Sequence, residues 1–256
     1  WENKTSDGSI HDGAKTFTWC DTNPATNGGN QGTCGTGTGN AATDTEAYIK
    51  ALNDAKFGGF SDWRMPKVKE LASIVDPRRQ SPAIDTAWFP STLSSDYWSS
   101  TTYAYSYVDA WLVNFSIGLV GYTVKTDAYA VRAVRGGQSG LLDHLVINGD
   151  GTVTDTDTGL MWQQGETSSM TWEAALTYSE GLYLAGYDDW RLPTVKELQS
   201  IVDYSHYSPA IDTALFQVTL SSYYWSSTTY LGIYGNYGAW CVNFSYYGNV
   251  NADNKL

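Results

Sequence analysis

Asp62-Trp63-Arg64-Met65-Pro66-Lys67-Val68-Lys69-Glu70-Leu71-Ala72-Ser73-Ile74-Val75-Asp76 returns at Asp189 to Asp203 as DWRLPTVKELQSIVD, with 12 of 15 positions unchanged at an offset of 127. The register persists downstream: SPAIDTAWF from Ser81 becomes SPAIDTALF from Ser208, and YWSSTTY recurs whole at Tyr97 and Tyr224. A chain of 256 residues with this period holds two units of ordinary domain size, each long enough to bury its own core. The first unit is read as 1–136 and the second as 146–256, with 137–145 as the linker, beginning in the Gly-rich run from Gly136 to Gly140.

Each unit reads as a helix, a shorter helix and then strands. Asp44–Lys56 and Thr171–Leu182 carry apolar residues at helical spacing behind an Asp or Thr cap, and both run into glycine. Pro66 and Pro193 suit a helix start, and Thr194 with Glu197 makes a capping box that Lys67 breaks in the first unit. The second short helix should therefore be the better capped, by up to about 1 kcal/mol. Beyond Tyr97 and Tyr224 the period becomes two, with Trp111, Val113 and Phe115 on one face and Leu112 and Asn114 on the other. Val146–Trp162 reads as a hairpin with turns at Asn148–Gly151 and Asp157–Gly159. The expected class is α+β.

Trp1 aligns with Trp162, and Lys255 with Lys125. The first unit is thus expected to lack the hairpin that opens the second, and the second to lack a counterpart of Tyr129–Arg135. Strand donation between copies would satisfy such edges, so a self-assembling subunit of an extracellular filament is the alternative to a binding module.

Net charge is −12 and uneven: residues 1–136 hold 14 acids and 12 bases, residues 137–256 hold 13 acids and 3 bases. Such a surface repels phosphate backbones and anionic lipid, which argues against nucleic acid and membrane partners, and no apolar run is long enough to span a bilayer. The chain opens at Trp1 without a basic, apolar leader, so any secretion signal is expected to have been removed or never to have been part of this sequence. Cys20 and Cys34 flank DTNPATNGGNQGT, whose Gly, Asn and Pro content supports no packed element; a bridge there would stabilise by about 3 kcal/mol and implies an oxidising compartment. Cys241 stands where the first unit has Leu112, which reads as a small buried hydrophobe.

Catalysis finds little support. His11, His144 and His206 fall in an insertion, the linker and a loop, and none recurs between units, so no Ser-His-Asp or Cys-His constellation can be drawn. The recurring acids Asp62/Asp189, Glu70/Glu197, Asp76/Asp203 and Asp85/Asp212 border turns or cap helices, ordinary duties for carboxylates. No cofactor is expected; calcium is the one left open, because Asn148–Asp157 loosely resembles a calcium loop without its acid spacing or terminal Glu. Trp63/Trp190, Trp98/Trp225 and Trp111/Trp240 recur with their neighbours, as core anchors do.

The copies diverge most between YWSSTTY and Trp-x-Val-Asn-Phe-Ser, where Ala104–Ala110 faces the nine residues Leu231–Ala239, and again over Tyr246–Asn254. These stretches are rich in Tyr, Asn, Gly and Ser, the vocabulary of adaptable binding loops, in which rigid rings supply area and small polar groups supply hydrogen bonds. Drift in exposed loops would also produce divergence. The candidate ligand contacts are Tyr105, Tyr107, Tyr234, Asn236, Tyr237, Tyr246, Tyr247, Asn249 and Asn251.

DWR-x-P-x-x-KEL, SPAIDTA-x-F, YWSSTTY, W-x-VNFS and VRAVRGGQ together resemble the bacterial domain DUF1566, the C-terminal domain of the Legionella collagen-like adhesin, in two copies over nearly the whole chain. The resemblance implies two tandem C-type-lectin-like domains, each with two helices packed on a small twisted antiparallel sheet and with its ends paired. It implies a non-enzymatic bacterial protein, extracellular or on the cell surface, that meets a protein or glycan ligand on a surface. It would place the tyrosines and asparagines named above on or near the displayed face. No Glu-Pro-Asn or Gln-Pro-Asp triplet is present, so calcium-dependent sugar binding is not implied.

Overall fold

The structure is a computed structural model that describes residues 1–137, 144–217, 223–230, 238–245 and 248–254. The chain separates into two compact units, Trp1–Gly140 and Leu141–Leu256, each mixing few helices with antiparallel sheet.

In the first unit the elements run β1 (Phe17–Thr18), α1 (Thr45–Asp54), α2 (Val68–Ser73), β2 (Asp96–Thr102), β3 (Asp109–Asn114), β4 (Leu119–Val124) and β5 (Ala128–Tyr129), with short 3-10 turns at Gly39–Ala41 and Phe57–Gly59. β2, β3 and β4 form an antiparallel meander, and β5 pairs with β1. Asp44 caps α1 by accepting from Ala47 N, as its side chain allows. The helix ends at Ala55 rather than at glycine, and the left-handed turn falls on Lys56 at φ 47°. Pro66 precedes the cap residue of α2 instead of opening the helix, and its carbonyl accepts from Ser100 N.

β3 is buried on both faces. Ala110, Trp111, Leu112 and Val113 are all buried, because Leu112 joins Trp98, Trp63, Leu52 and Tyr48 on one side while Trp111 meets Tyr103 and Tyr122 on the other. With both faces of the sheet covered, period two sorts side chains between two apolar layers rather than between core and water.

The segment after β4 closes the unit. Ala130 O accepts from Trp98 N (2.9 Å), Val134 exchanges both backbone bonds with Arg64 (2.8 and 2.9 Å), and Ala133 O accepts from Glu2 N (2.9 Å). Val131, Arg132 and Ala133 are wholly buried. A buried charge would be costly alone. Here Arg132 donates to Glu2 O and Thr92 Oγ1, while the Glu2 carboxylate takes Lys4 Nζ, Tyr48 Oη and Ala133 N. Burial would push the Glu2 carboxyl up, but the Lys4 ammonium and these donors outweigh it and hold it below its usual value.

The second unit opens with β6 (Leu145–Ile147), β7 (Thr152–Asp155) and β8 (Met161–Gln163), a three-stranded meander at the expected hairpin. Asp150 and Asp155 side chains accept from the backbone two and three residues on, which fixes its turns. It continues with α3 (Trp172–Glu180), α4 (Val195–Ser200), β9 (Tyr223–Tyr230), β10 (Gly238–Asn243) and β11 (Asn249–Asn254), with β10 paired to both neighbours. Thr171 caps α3, and Gly181 ends it as expected. Thr194 and Glu197 form the complete capping box, whereas at Lys67 only the Glu70 half exists, since an ammonium has no acceptor.

The repeat is legible at atomic detail. Arg64 clamps Glu70 with two bonds of 2.7 Å, and Arg191 clamps Glu197 at 2.8 and 2.6 Å. Ser99 and Ser226 each donate to the carbonyl of the paired tryptophan, Trp111 or Trp240, at 2.8 Å. Trp98 Nε1 donates to Phe17 O and Trp225 Nε1 to Met170 O; Trp19 Nε1 and Trp172 Nε1 donate to Ser99 O and Ser226 O. Phe17-Thr18-Trp19 is therefore the counterpart of Met170-Thr171-Trp172. In the second unit that triplet enters α3 directly, and in the first it is separated from α1 by the Cys20–Cys34 loop.

Candidate functional site

In the first unit the divergent surface is the loop between β2 and β3. Tyr103 N–H donates to Asp109 O (3.0 Å) and Asp109 N–H to Ser106 O (2.9 Å), so the loop is a closed turn carried on the sheet end. Its first ring, Tyr103, is buried, stacked on Tyr122 at 4.1 Å between centroids and set edge-on to Trp111 at 5.5 Å. Tyr105 and Tyr107 project outward at 63% and 56% exposure, with Val108 beside them.

Two devices stiffen this loop. The first is the neighbouring insertion, closed by the Cys20–Cys34 disulfide with Cα atoms 5.0 Å apart. Its interior is tied by Asn27 Nδ2 to Asp21 O (3.1 Å), Gly29 N to Asn27 Oδ1 (2.8 Å) and Gly32 N to Asn30 Oδ1 (2.9 Å). Thr22 N and Oγ1 both donate to the Glu46 carboxylate in the first turn of α1 (2.8 Å each). Gly28, at φ +65°, lies flat under Tyr107: a Cβ there would stand 3.0 Å from that ring and 2.9 Å from Thr102 Cγ2.

The second device is Lys125 at the end of β4. Its N–H donates to Val108 O (2.9 Å), inside the tyrosine loop. Its ammonium donates to Asn27 O (3.0 Å), Asn30 O (2.8 Å) and Thr102 Oγ1 (3.1 Å) and sits 3.9 Å from the Trp19 ring centroid. One residue thus joins both loops to the strand. Burial lowers the Lys125 pKa to about 8, against the opposing pull of Asp21 and Asp109.

In the second unit, Tyr234, Asn236, Tyr237, Tyr246 and Tyr247 lie outside the described residues. The Tyr-Trp pair of the scaffold recurs there, Tyr230 meeting Trp240 edge-on at 5.1 Å, while Ala252 takes the place opposite Trp240 that Tyr122 holds opposite Trp111. Asn249 and Asn251 are half-buried and lie opposite Asn243 and Cys241 in β10, on the face away from Trp240. Asn249 Oδ1 is buried with no hydrogen-bond partner among the described residues. The nine candidates therefore divide into an exposed pair, a half-buried pair on a strand, and five outside the description.

Among the described residues, the histidines do not sit in a Ser-His-Asp relay. His206 Nδ1 lies 2.6 Å from Asp203 Oδ2 and 3.1 Å from Ser205 Oγ, so acid and hydroxyl meet the same ring nitrogen, whereas a Ser-His-Asp relay needs opposite ones. His11 stacks on Phe57 at 3.8 Å and contacts buried Glu2. Cys20, Cys34 and Glu46 are close enough to suggest a metal site, but both sulfurs are spent in the disulfide. Cys241 is buried, and its thiol is pushed up to about 12, far from thiolate reactivity. What the loop offers is aromatic faces, phenolic hydroxyls and backbone amides on a braced turn.

Sequence reasoning singled out Tyr105 and Tyr107, which are exposed, and passed over Tyr122, Gly28 and Lys125. The available signals were the Phe-Thr-Trp/Met-Thr-Trp alignment, which delimits the insertion, and a lone lysine ending an apolar strand.

Among protein families, the model described as the Lcl C-terminal domain matches residues 5–135 and again 151–256. No curated protein and no solved structure matches the chain.

Proposed function

The chain belongs to the Lcl C-terminal domain family in both of its units, and on that footing we propose that it is a non-enzymatic binding module of the bacterial surface or extracellular space. Each unit takes a C-type-lectin-like fold and presents a Tyr/Asn/Gly-rich loop to a protein or glycan ligand. The family supports a surface, adhesin-like role, and no helix among the described residues is long and apolar enough to cross a membrane.

The observation that carries this reading is the braced exposure of Tyr105 and Tyr107. Exposed rings on a loose loop would cost ordering entropy on binding; here that cost is met during folding by Lys125, the disulfide loop and the Tyr103–Tyr122 stack. Rings in this arrangement fit the apolar face of a neutral sugar or an aliphatic protein patch, and a net charge of −12 disfavours sulfated chains. Two units on one chain would gain avidity on a repeating ligand.

The test is binding of the chain to arrayed neutral and sulfated glycans and immobilised extracellular-matrix proteins, in parallel with Tyr105→Ala/Tyr107→Ala. The double variant should keep its melting temperature, because both rings are exposed, and should lose at least about tenfold in affinity. Undiminished binding by the variant, or no binding of the intact chain to any of these surfaces, would refute the assignment.

A further inference from the structure

We propose that Tyr107 and Asp109 form a receptor for an arginine side chain, so that the partner of the first unit's tyrosine loop is a protein presenting an exposed arginine. This rests on the reading of that loop as a contact surface and narrows its ligand to one chemistry.

An aromatic residue followed two positions on by aspartate occurs three times in residues 1–136: Trp19-Cys20-Asp21, Phe60-Ser61-Asp62 and Tyr107-Val108-Asp109. The first two each hold a cation. The Arg135 guanidinium carbon lies 3.4 Å from the Phe60 ring centroid while its Nε donates to Asp62 Oδ1 at 2.9 Å. The Lys125 ammonium lies 3.9 Å from the Trp19 centroid, and Asp21 attracts its charge. The third has the same order and spacing and holds none: among the described residues no lysine or arginine lies over Tyr107 and none forms an ion pair with Asp109. Lys125 also feels Asp109, but its ammonium is buried and taken by Asn27 O, Asn30 O and Thr102 Oγ1. Other bases of the unit are engaged elsewhere: Arg64 with Glu70, Arg78 and Arg79 with Asp76, Lys50 with Asp54.

The third pair is also presented outward. Tyr107 is exposed and rests on Gly28, so one ring face is backed by the insertion and the other is open. Asp109 is half-buried at the foot of the loop, where its N–H and carbonyl both bond within the turn, to Ser106 O and Tyr103 N. Ring and carboxylate are thereby held in a fixed relation before any partner arrives. A guanidinium suits both at once: its plane stacks on a ring, its edge donates to a carboxylate, and it sheds water more readily than an ammonium. A chain of net charge −12 also draws a basic partner toward it, whereas a sulfated chain would meet Asp21 and Asp109 as repulsion.

The experiment titrates the isotope-labelled 256-residue chain with a peptide of alternating arginine and glycine and with its citrulline analogue, which keeps the shape and removes the charge; amide shifts report binding. The arginine peptide should move the amides of Tyr105, Tyr107 and Asp109 saturably, and the citrulline peptide should not. Tyr107→Leu and Asp109→Asn should each weaken binding about threefold, while Glu180→Gln, which removes an equal charge from an exposed site on α3, should leave it unchanged. Equal shifts with citrulline, equal weakening by Glu180→Gln, largest shifts outside the loop, or no saturable binding at millimolar peptide would each overturn the proposal. Glycan and matrix-protein arrays separate it from the broader reading. Binding there that is lost in Tyr105→Ala/Tyr107→Ala but kept in Asp109→Asn retains the loop as a contact surface and overturns its preference for arginine.

Discussion

Replacing Lys125 by Met keeps the aliphatic stem and removes only the ammonium, which isolates its role as the pin between two loops. Wild-type Nζ donates to Asn27 O, Asn30 O and Thr102 Oγ1 at 2.8–3.1 Å and lies 3.9 Å from the Trp19 centroid. A charge-assisted bond is worth about 1.5–3 kcal/mol net, and a desolvated cation–π contact about 1–2 kcal/mol. Against these stands the cost of burying the ammonium, large enough to be the main cause of its lowered pKa. In the variant the two loop carbonyls can turn toward water, so the net loss should be about 2–4 kcal/mol, confined to the first unit. Urea denaturation followed by tryptophan fluorescence reads the loss, and hydrogen exchange should quicken at Gly29, Gly32 and Tyr107. The pH dependence has a definite sign. Folding lowers the Lys125 pKa from 10.5 to about 8, so between those values the unfolded chain holds more protons and stability rises with pH. That rise should disappear in Lys125→Met. A loss below about 0.5 kcal/mol with unchanged exchange would show that the two loops hold their shape without the pin.

Two further predictions follow the repeat. Lys67→Thr supplies the missing acceptor for Glu70 N and should stabilise the first unit by about 0.5–1 kcal/mol in chemical denaturation; no gain would mean that the Arg64–Glu70 clamp already saturates that helix end. Glu197 is held down to about 2, first by the two bonds from Arg191 and then by Thr194, against a usual 4.5. The second unit should therefore lose stability as pH falls from about 4.5 toward 2, and Glu197→Gln should flatten that acid limb while lowering stability at neutral pH.

The scaffold was legible because it is written twice. Two copies of DWR-x-P-x-x-KEL fix a turn, an arginine and a helix cap, and comparison separated the capped Thr194 from the uncapped Lys67. Leu112 was harder to read: alternation along β3 sorts its side chains to two faces, and only the packing of Trp63 and Trp98 against Leu112 shows that the second face is dry as well. Pro66 misled by one position, since a proline favours N1 but is equally at ease just before the cap. At the proposed binding surface, composition pointed to Tyr105 and Tyr107, but nothing local could pair Lys125 with Asn27 and Asn30, which lie 98 and 95 residues away. The covering of Tyr97 and Trp98 by Val131 and its neighbours is likewise a long-range fact, invisible to any pattern within one segment.

The Glu2–Arg132–Ala133 junction has a consequence for how the first unit is made. Its earliest residues, Glu2 and Lys4, are buried against its latest, Arg132 and Ala133, with the helices and the sheet enclosed between them. A ribosome releasing the chain from its amino end would therefore expose a collapsed but unsealed unit until residue 133 has cleared the exit tunnel. The second unit then emerges behind a neighbour whose closing segment is already seated, so vectorial synthesis favours pairing of Tyr129–Arg135 within its own unit.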